Sequence, residues 1–283
     1  MGEIIGIEKS FVNNPEVMTD GITPDCLGVM DVEVPVASDD QLLGSQVRYI
    51  AQELHTAVYL KMGYITELDL NEDGVFLDKY TSQSTYVVSM GKTRISACRY
   101  ISATEKDGIM SLPTSENFSI DLSVLASVAR ADDWSDILPD EVVEVSGLVS
   151  VPLDPRVDTG RDEYDATQLM YAAVLRKSLE RGHKLWILNT NPRLLRAFSA
   201  LVGAEQVHVL GTPQQYMNIT TIPAAMNPQS VIEGVMYDQS PYGPVKRAHI
   251  VRALHGMDAS EISRDMQLLL MQHGVQFGLS KNA

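Results

Sequence analysis

Apolar residues recur at three- and four-residue steps at Leu43, Val47, Ile50, Leu54 and Val58. That spacing puts one stripe on the face of a helix. Asp39 and Asp40 precede it as N-cap candidates, and Gly63 follows as a stop. NEDG at 71–74 predicts a turn. The stretch from Ser84 to Ile101 is rich in strand formers and is broken at Met90-Gly91-Lys92, which predicts a β-hairpin. Residues 118–130 have helical spacing. VVEVSGLVSV, 142–151, is β-branched and bounded by Pro139 and Pro152. It predicts a buried central strand.

The second half repeats strand and helix. Asp165 and Gln168 are spaced as a capping pair, with Met170, Tyr171, Val174, Leu175 and Leu179 behind them on one face. Gly182 supplies the left-handed stop. KLWILNT, 184–190, reads as a short buried strand. PRLLRAFSALVG, 192–203, reads as a helix with Pro192 in its first turn and Gly203 at its end. EQVHVLG and QYMNITTIP read as two further strands. Residues 229–283 predict two short helices, one around 245–255 and one starting at the Asp258–Glu261 pair. At the other end, Pro15, Pro24 and Pro35 break residues 1–38 into an irregular arm, with VMDVEVPVA, 29–37, as a possible edge strand. The organisation expected is an arm at 1–40, a catalytic-type domain at 41–228 and a helical extension at 229–283. The fold class is α/β, a mixed sheet with helices on both faces.

Charge narrows the partners. The 283 residues include 37 acidic and 22 basic side chains, a formal net charge of −15. Nucleic-acid binding needs the opposite surplus, and an anionic membrane surface is disfavoured on the same ground. With 45% hydrophobic and 21% charged residues the chain can bury a core, so disorder is disfavoured. No apolar run approaches the ~18 residues of a membrane span, and the first residues do not read as a signal peptide. A cytoplasmic protein is expected. Cys26 and Cys98 belong to no Cys/His cluster, so neither metal nor disulfide is expected, and both thiols read as inert. The six histidines show no relay or metal spacing and read as surface or satisfied residues. GxGxxG after a strand, GxxxxGK(S/T), GxSxG and HExxH are all absent.

The ordered set VEVSGLVSV, ATQLMYAAVLRKSLERG, KLWILNT, NPRLLRAFSALVGAEQVHVLG and IPAAMNP, preceded by FLDKY and GKTRISACRYI, resembles the GNAT acyltransferase fold. Within it the chain looks most like the branch of acyl-homoserine-lactone synthases and long-chain N-acyl amino acid synthases. The resemblance covers about residues 42–227. It implies a GNAT-like, mostly antiparallel central sheet flanked by helices. It also implies transfer of a medium or long acyl group from an acyl carrier protein (phosphopantetheine) or acyl-CoA thioester to the amine of a small acceptor, with no tightly bound cofactor. Two departures stand out. Gly147 lies where lactone synthases usually carry Arg, which leans away from a lactone product. The acetyl-CoA phosphate loop is missing, the nearest text being Arg156 to Arg161. The alternatives are an acetyl-CoA-dependent N-acetyltransferase and a non-catalytic acyl-carrier-binding module.

Individual residues carry this chemistry as expectations. Glu144 interrupts an apolar strand, where a carboxyl has a raised pKa and can take a proton from an attacking amine. Solvent exposure or pairing with an Arg is the plainer alternative. Arg99 ends an apolar strand and can clamp an acceptor carboxylate through a bidentate pair, or be a surface strand Arg. For Asp78 the resemblance implies a role in orienting the amine; stabilising a turn is equally open. For Ser146, Leu148 and Val149 it implies backbone N–H groups that hold the thioester carbonyl and pantetheine, against ordinary core packing. Asn189 and Asn191 can bond the pantetheine arm, or cap the next helix. Arg176, Lys177, Arg181, Lys184, Arg193 and Arg196, with Lys246 and Arg247, predict a docking patch for an acidic carrier protein or for phosphates, or else a solvated face.

Overall fold

The computed structural model describes residues 29–32, 41–90, 94–152, 162–257 and 262–278. The Asp39/Asp40 cap, the Gly91 turn, the Arg156–Arg161 text, Cys26 and the Asp258–Glu261 pair lie outside the described residues.

Strand β1 (Val29–Val32) is followed by helix α1 (Gln41–Met62) and the hairpin β2 (Ser84–Met90) and β3 (Arg94–Ser102). Two short helices come next, α2 (Pro113–Asn117) and α3 (Leu122–Ala129). Asp121 caps α3 by accepting from the Ser123 and Val124 N–H groups. Strand β4 (Val142–Pro152), helix α4 (Asp162–Glu180), strand β5 (Leu185–Thr190) and helix α5 (Pro192–Val202) then alternate. Strands β6 (His208–Val209), β7 (Gln214–Tyr216) and β8 (Ile219–Met226) precede helices α6 (Pro228–Met236), α7 (Gly243–Leu254) and α8 (Arg264–Gln272). Seven strands run in the order β1-β2-β3-β4-β5-β8-β6, and β7 pairs with β8. β4 and β5 are parallel; the other pairings are antiparallel.

Period-two alternation sorts the sheet's side chains to two faces. Tyr86, Val88, Ile95 and Ala97 pack with Ala51 and Leu54 of α1. Ile101, Val142 and Ile187 extend that face toward Leu125 of α3. Val87, Cys98, Tyr100, Val143 and Trp186 form the opposite face against Met170, Val174 and Leu175 of α4, with α6, α7 and α8 joining that larger core. The mixed sheet with helices on both faces is therefore as expected.

Four details differ from the sequence-based expectation. The α4 helix begins at Asp162, three residues before Asp165, so Asp165 lies inside the first turn. QYMNITTIP is two strands, not one. Met217 and Asn218 both have positive φ, 47° and 62°, and make the primed two-residue turn that matches strand twist. Among the described residues, three helices lie in the C-terminal region where two were expected. The last begins at Arg264, capped by the Ser263 hydroxyl accepting from the Met266 N–H. Finally, β4 is buried from Val142 to Glu144 and again at Val149, while Val145 to Leu148 are partly exposed. The reason is a split in the sheet. β4 and β5 pair only from Val142–Val145 to Leu185–Leu188, after which β4 stays with β3 and β5 with β8.

Candidate active site

The split opens onto two spaces. On the α1–α3 face lies a small cavity of about 90 Å³, lined by Asp78, Arg99, Glu144, Ser146, Gly147 and Asn189 together with Tyr59, Tyr64, Phe76 and Tyr216. On the α4 face lies a groove of about 1570 Å³, lined by Leu148, Val149 and Tyr171, by Asn191, Arg193, Leu194, Ala197 and Leu201 of α5, and by residues of α6, α7 and the segment between them. Its volume exceeds the ~300–1,000 Å³ of ordinary small-molecule sites.

Glu144 is 1% exposed. One oxygen accepts the Thr114 backbone N–H of α2 at 2.8 Å. Burial raises the carboxyl's pKa to about 7, against the opposing pull of the Thr114 N–H and the Arg99 charge. Neither alternative for Glu144 holds: it does not face solvent, and its hydrogen bond is to backbone rather than to an Arg.

Arg99 is not a surface strand residue; it is 8% exposed. Its fork is also already occupied. Nη1 donates to Asp78 Oδ2 at 2.8 Å and Nη2 to Asp78 Oδ1 at 2.6 Å, while Nε donates to the Ser84 hydroxyl at 2.7 Å. The bidentate clamp expected for an acceptor carboxylate is spent on Asp78, because a buried guanidinium needs a permanent counter-charge. Asp78 does two further things. Its Oδ1 accepts from the Tyr80 N–H and the Thr81 hydroxyl, fixing the turn before β2. Burial pushes its pKa up, but Arg99, the Thr81 hydroxyl and the Tyr80 N–H together outweigh this and leave it below the ordinary value.

The two asparagines separate. Asn191 caps α5, accepting the Arg193 and Leu194 N–H groups at 3.0 and 2.9 Å, so only its Nδ2 faces other partners. Asn189 lines the small cavity, and both its Oδ1 and Nδ2 are buried without a partner. Strand alternation from Ile187 was the signal that could have put Asn189 on the Glu144 face. Ser146 lines the cavity, Leu148 the groove, and Val149 divides itself between groove and core. His55 is a buried satisfied residue, 5% exposed, with Nε2 against the Gly147 carbonyl. Cys98 is buried, and burial pushes its thiol up to about 12.

Part of the expected basic patch is taken up in ion pairs. Arg176 binds Glu180 and the carbonyls of Ala253 and His255. Lys184 pairs with Glu141, and Lys246 with Asp238. Arg247 donates to the Asp238 carbonyl. Arg193 and Arg196 are exposed on α5. No helix among the described residues is long and apolar enough to cross a membrane.

No protein-family model matches the chain, and no curated protein matches it. Among solved structures, it is similar to BjaI, a CoA-dependent acyl-homoserine lactone synthase, at 19% identity over 73% of this chain and 88% of that one, with a TM-score of 0.48. It is similar to FeeM, an N-acyl amino acid synthase from uncultured soil microbes, at 14% identity over 70% and 93% of the two chains, TM-score 0.43. The AHL synthase LasI gives 12% identity over 72% and 94%, TM-score 0.44. At such values the chemistry of the site, not the likeness, has to carry a functional argument.

Proposed function

We propose that the protein is an N-acyltransferase that moves a medium or long acyl group from a thioester to the amine of a small acceptor. The observation that carries this is a buried carboxyl, Glu144, whose pKa burial raises to about 7, beside a split in the sheet with a small cavity on one face and a large, mostly apolar groove on the other. A general base works best when its pKa lies close to the working pH. The acceptor amine occupies the cavity and the thioester's acyl chain and pantetheine arm occupy the groove. The amine nitrogen attacks the carbonyl carbon as Glu144 takes its proton, directly or through one water. The C–N bond forms, the C–S bond breaks, and the same proton passes to the departing thiolate. The products are an amide and a free thiol, with no covalent acyl-enzyme.

Free acyl-CoA is favoured over a carrier protein as donor. Three side chains of the expected carrier-docking face, Arg176, Lys184 and Lys246, are engaged in ion pairs, and the chain is strongly acidic; two acidic proteins repel. Arg193 at the groove is the residue suited to a CoA phosphate. Arg99 and Asp78 act together as a fixed neutral pair that shapes the cavity, so an acceptor carboxylate gains no clamp from Arg99.

The test is thiol release from acyl-CoA and acyl-carrier thioesters of graded chain length, across a panel of amines and amino acids. The expected result is amide and thiol in equal amounts, fastest with long-chain acyl-CoA. A best rate with acetyl-CoA would replace the reading with an N-acetyltransferase. Tight carrier-protein binding with no thiol release would replace it with a binding module.

A further inference from the structure

The β4 backbone changes hand three residues after Glu144. Gly147 has a φ of +60°. The β3–β4 register shifts at that point: Ala97 lies opposite Val149 and Arg99 opposite Ser146, so Gly147 and Leu148 together face Cys98. Two residues against one, the first a glycine in the left-handed region, is a β-bulge. Its brace comes from outside the sheet. His55 on α1 sets Nε2 against the Gly147 carbonyl oxygen. Its ring lies between Tyr59 and Tyr86, at centroid distances of 5.9 and 5.8 Å. A carbonyl only accepts, so Nε2 carries the proton.

Helix and bulge are fitted to each other. A Cβ on residue 147 would stand 2.9 Å from His55 Nε2 and 3.3 Å from the Tyr59 hydroxyl. The imidazole thus fills the space that a side chain at 147 would need. Burial first, and then the Arg99 charge, push the His55 pKa down to about 4, so the ring is a neutral donor near pH 7.

A peptide unit is planar and trans, so its C=O and N–H point in opposite directions. Fixing the Gly147 carbonyl toward α1 therefore turns the Leu148 N–H away from α1. Leu148 lines the groove on that other side. We infer that His55 is a positioning residue for acyl transfer: by holding the Gly147 carbonyl it aims the Leu148 N–H at the thioester carbonyl oxygen, where negative charge develops in the transition state. The role rests on the acyl-transfer reading above. A preformed backbone donor of this kind is worth most when it needs no rearrangement during reaction.

The experiment compares His55→Leu, which fills the space without donating, with His55→Gln, whose amide keeps a donor. Gly147→Ala attacks the same contact from the opposite side. Two readouts are taken: kinetics with acyl-CoA, and the infrared stretch of a ¹³C-labelled thioester carbonyl bound without acceptor. His55→Leu and Gly147→Ala are expected to lower kcat about 100-fold, the cost of a small misplacement, with the acceptor KM nearly unchanged. Their bound carbonyl should stretch at higher frequency than in the wild type, and His55→Gln should restore both readouts most of the way. Equal kcat and equal carbonyl frequency in wild type and His55→Leu would overturn the role while leaving acyl transfer intact. A wild type that releases no thiol from any donor would remove both.

Discussion

The two spaces beside β4 treat a carboxyl in opposite ways. In the small cavity Glu144 is sealed among Thr114, Arg99 and aromatic rings, and burial raises its pKa to about 7. At the groove Asp238 meets Lys246 at 2.8 Å, and that hydrogen bond, with help from Ser240, holds its pKa down near 2. One carboxyl is poised to exchange a proton near neutral pH, whereas the other stays ionised and pins α7. The difference teaches a division of labour. A tight space of about 90 Å³ can strip water from a charge and tune it. A groove of about 1570 Å³ cannot, but it can hold a long, flexible donor. On the proposed reading, donor binding and proton transfer fall to opposite faces of one strand.

The largest effect that would break this comparison is at Glu144. Glu144→Gln keeps the shape and removes the base, so kcat/KM should fall by about 10²–10⁴-fold, measured by thiol release. In the wild type the rate should rise with pH through about 7 as the carboxyl ionises, and the variant's residual rate should lack that limb. Stability should move the other way. The folded chain keeps a proton until about pH 7 that the unfolded chain releases near 4.5. Folding is therefore favoured at low pH and loses stability as pH rises across that window. His55 and His183, whose pKa values burial lowers to about 4, contribute the opposite slope to both proteins, so urea unfolding at pH 5 and 8 should show the wild type losing stability relative to Glu144→Gln across that window.

The next effect sharpens the structural side. Arg99→Met leaves Asp78 facing an apolar wall, and breaking a buried pair from one side costs about 3 kcal/mol. Denaturant titration reads this directly. A loss well under 1 kcal/mol would mean that the pair is solvated and that the cavity is not the low-dielectric space described.

These contacts mark the limit of what the sequence reveals. Elements set by local chemistry were legible: α5 between Pro192 and Gly203, β4 between its flanking prolines, and the part of the α1 stripe formed by Ile50, Leu54 and Val58. Glu144 was legible as a carboxyl in an apolar strand. Its partner Thr114 was not, because α2 reaches it only through tertiary packing over 30 residues. Arg99 and Asp78 were both picked out, yet their mutual pairing was hidden, since 21 residues of turn and hairpin separate them. The two-residue turn at Met217-Asn218 was missed because neither residue is glycine, the usual mark of positive φ. His55 left a trace: Gly147 inside a β-branched run signals close approach of another group, but only the fold says which group.

Smaller effects probe the groove. Ala197→Trp should raise KM for long-chain acyl-CoA about tenfold while sparing acetyl-CoA, since filling an apolar pocket costs on the order of 1–3 kcal/mol. Equal effects on both donors would place the chain elsewhere. Arg193→Glu should be milder. It should weaken acyl-CoA by a few-fold relative to acyl-pantetheine, and the difference should shrink as salt is raised.

The central claim is that donor and acceptor meet through the split between β4 and β5. A crystal structure with a non-hydrolysable acyl-CoA analogue tests it most directly. The expected result is an acyl chain and pantetheine arm in the Leu148–Tyr171–α5 groove, with the carbonyl at the split and its carbon within reach of a water held by Glu144. An analogue bound wholly on the α1 face, or a carbonyl closed off from Glu144 by continuous β4–β5 pairing, would contradict it.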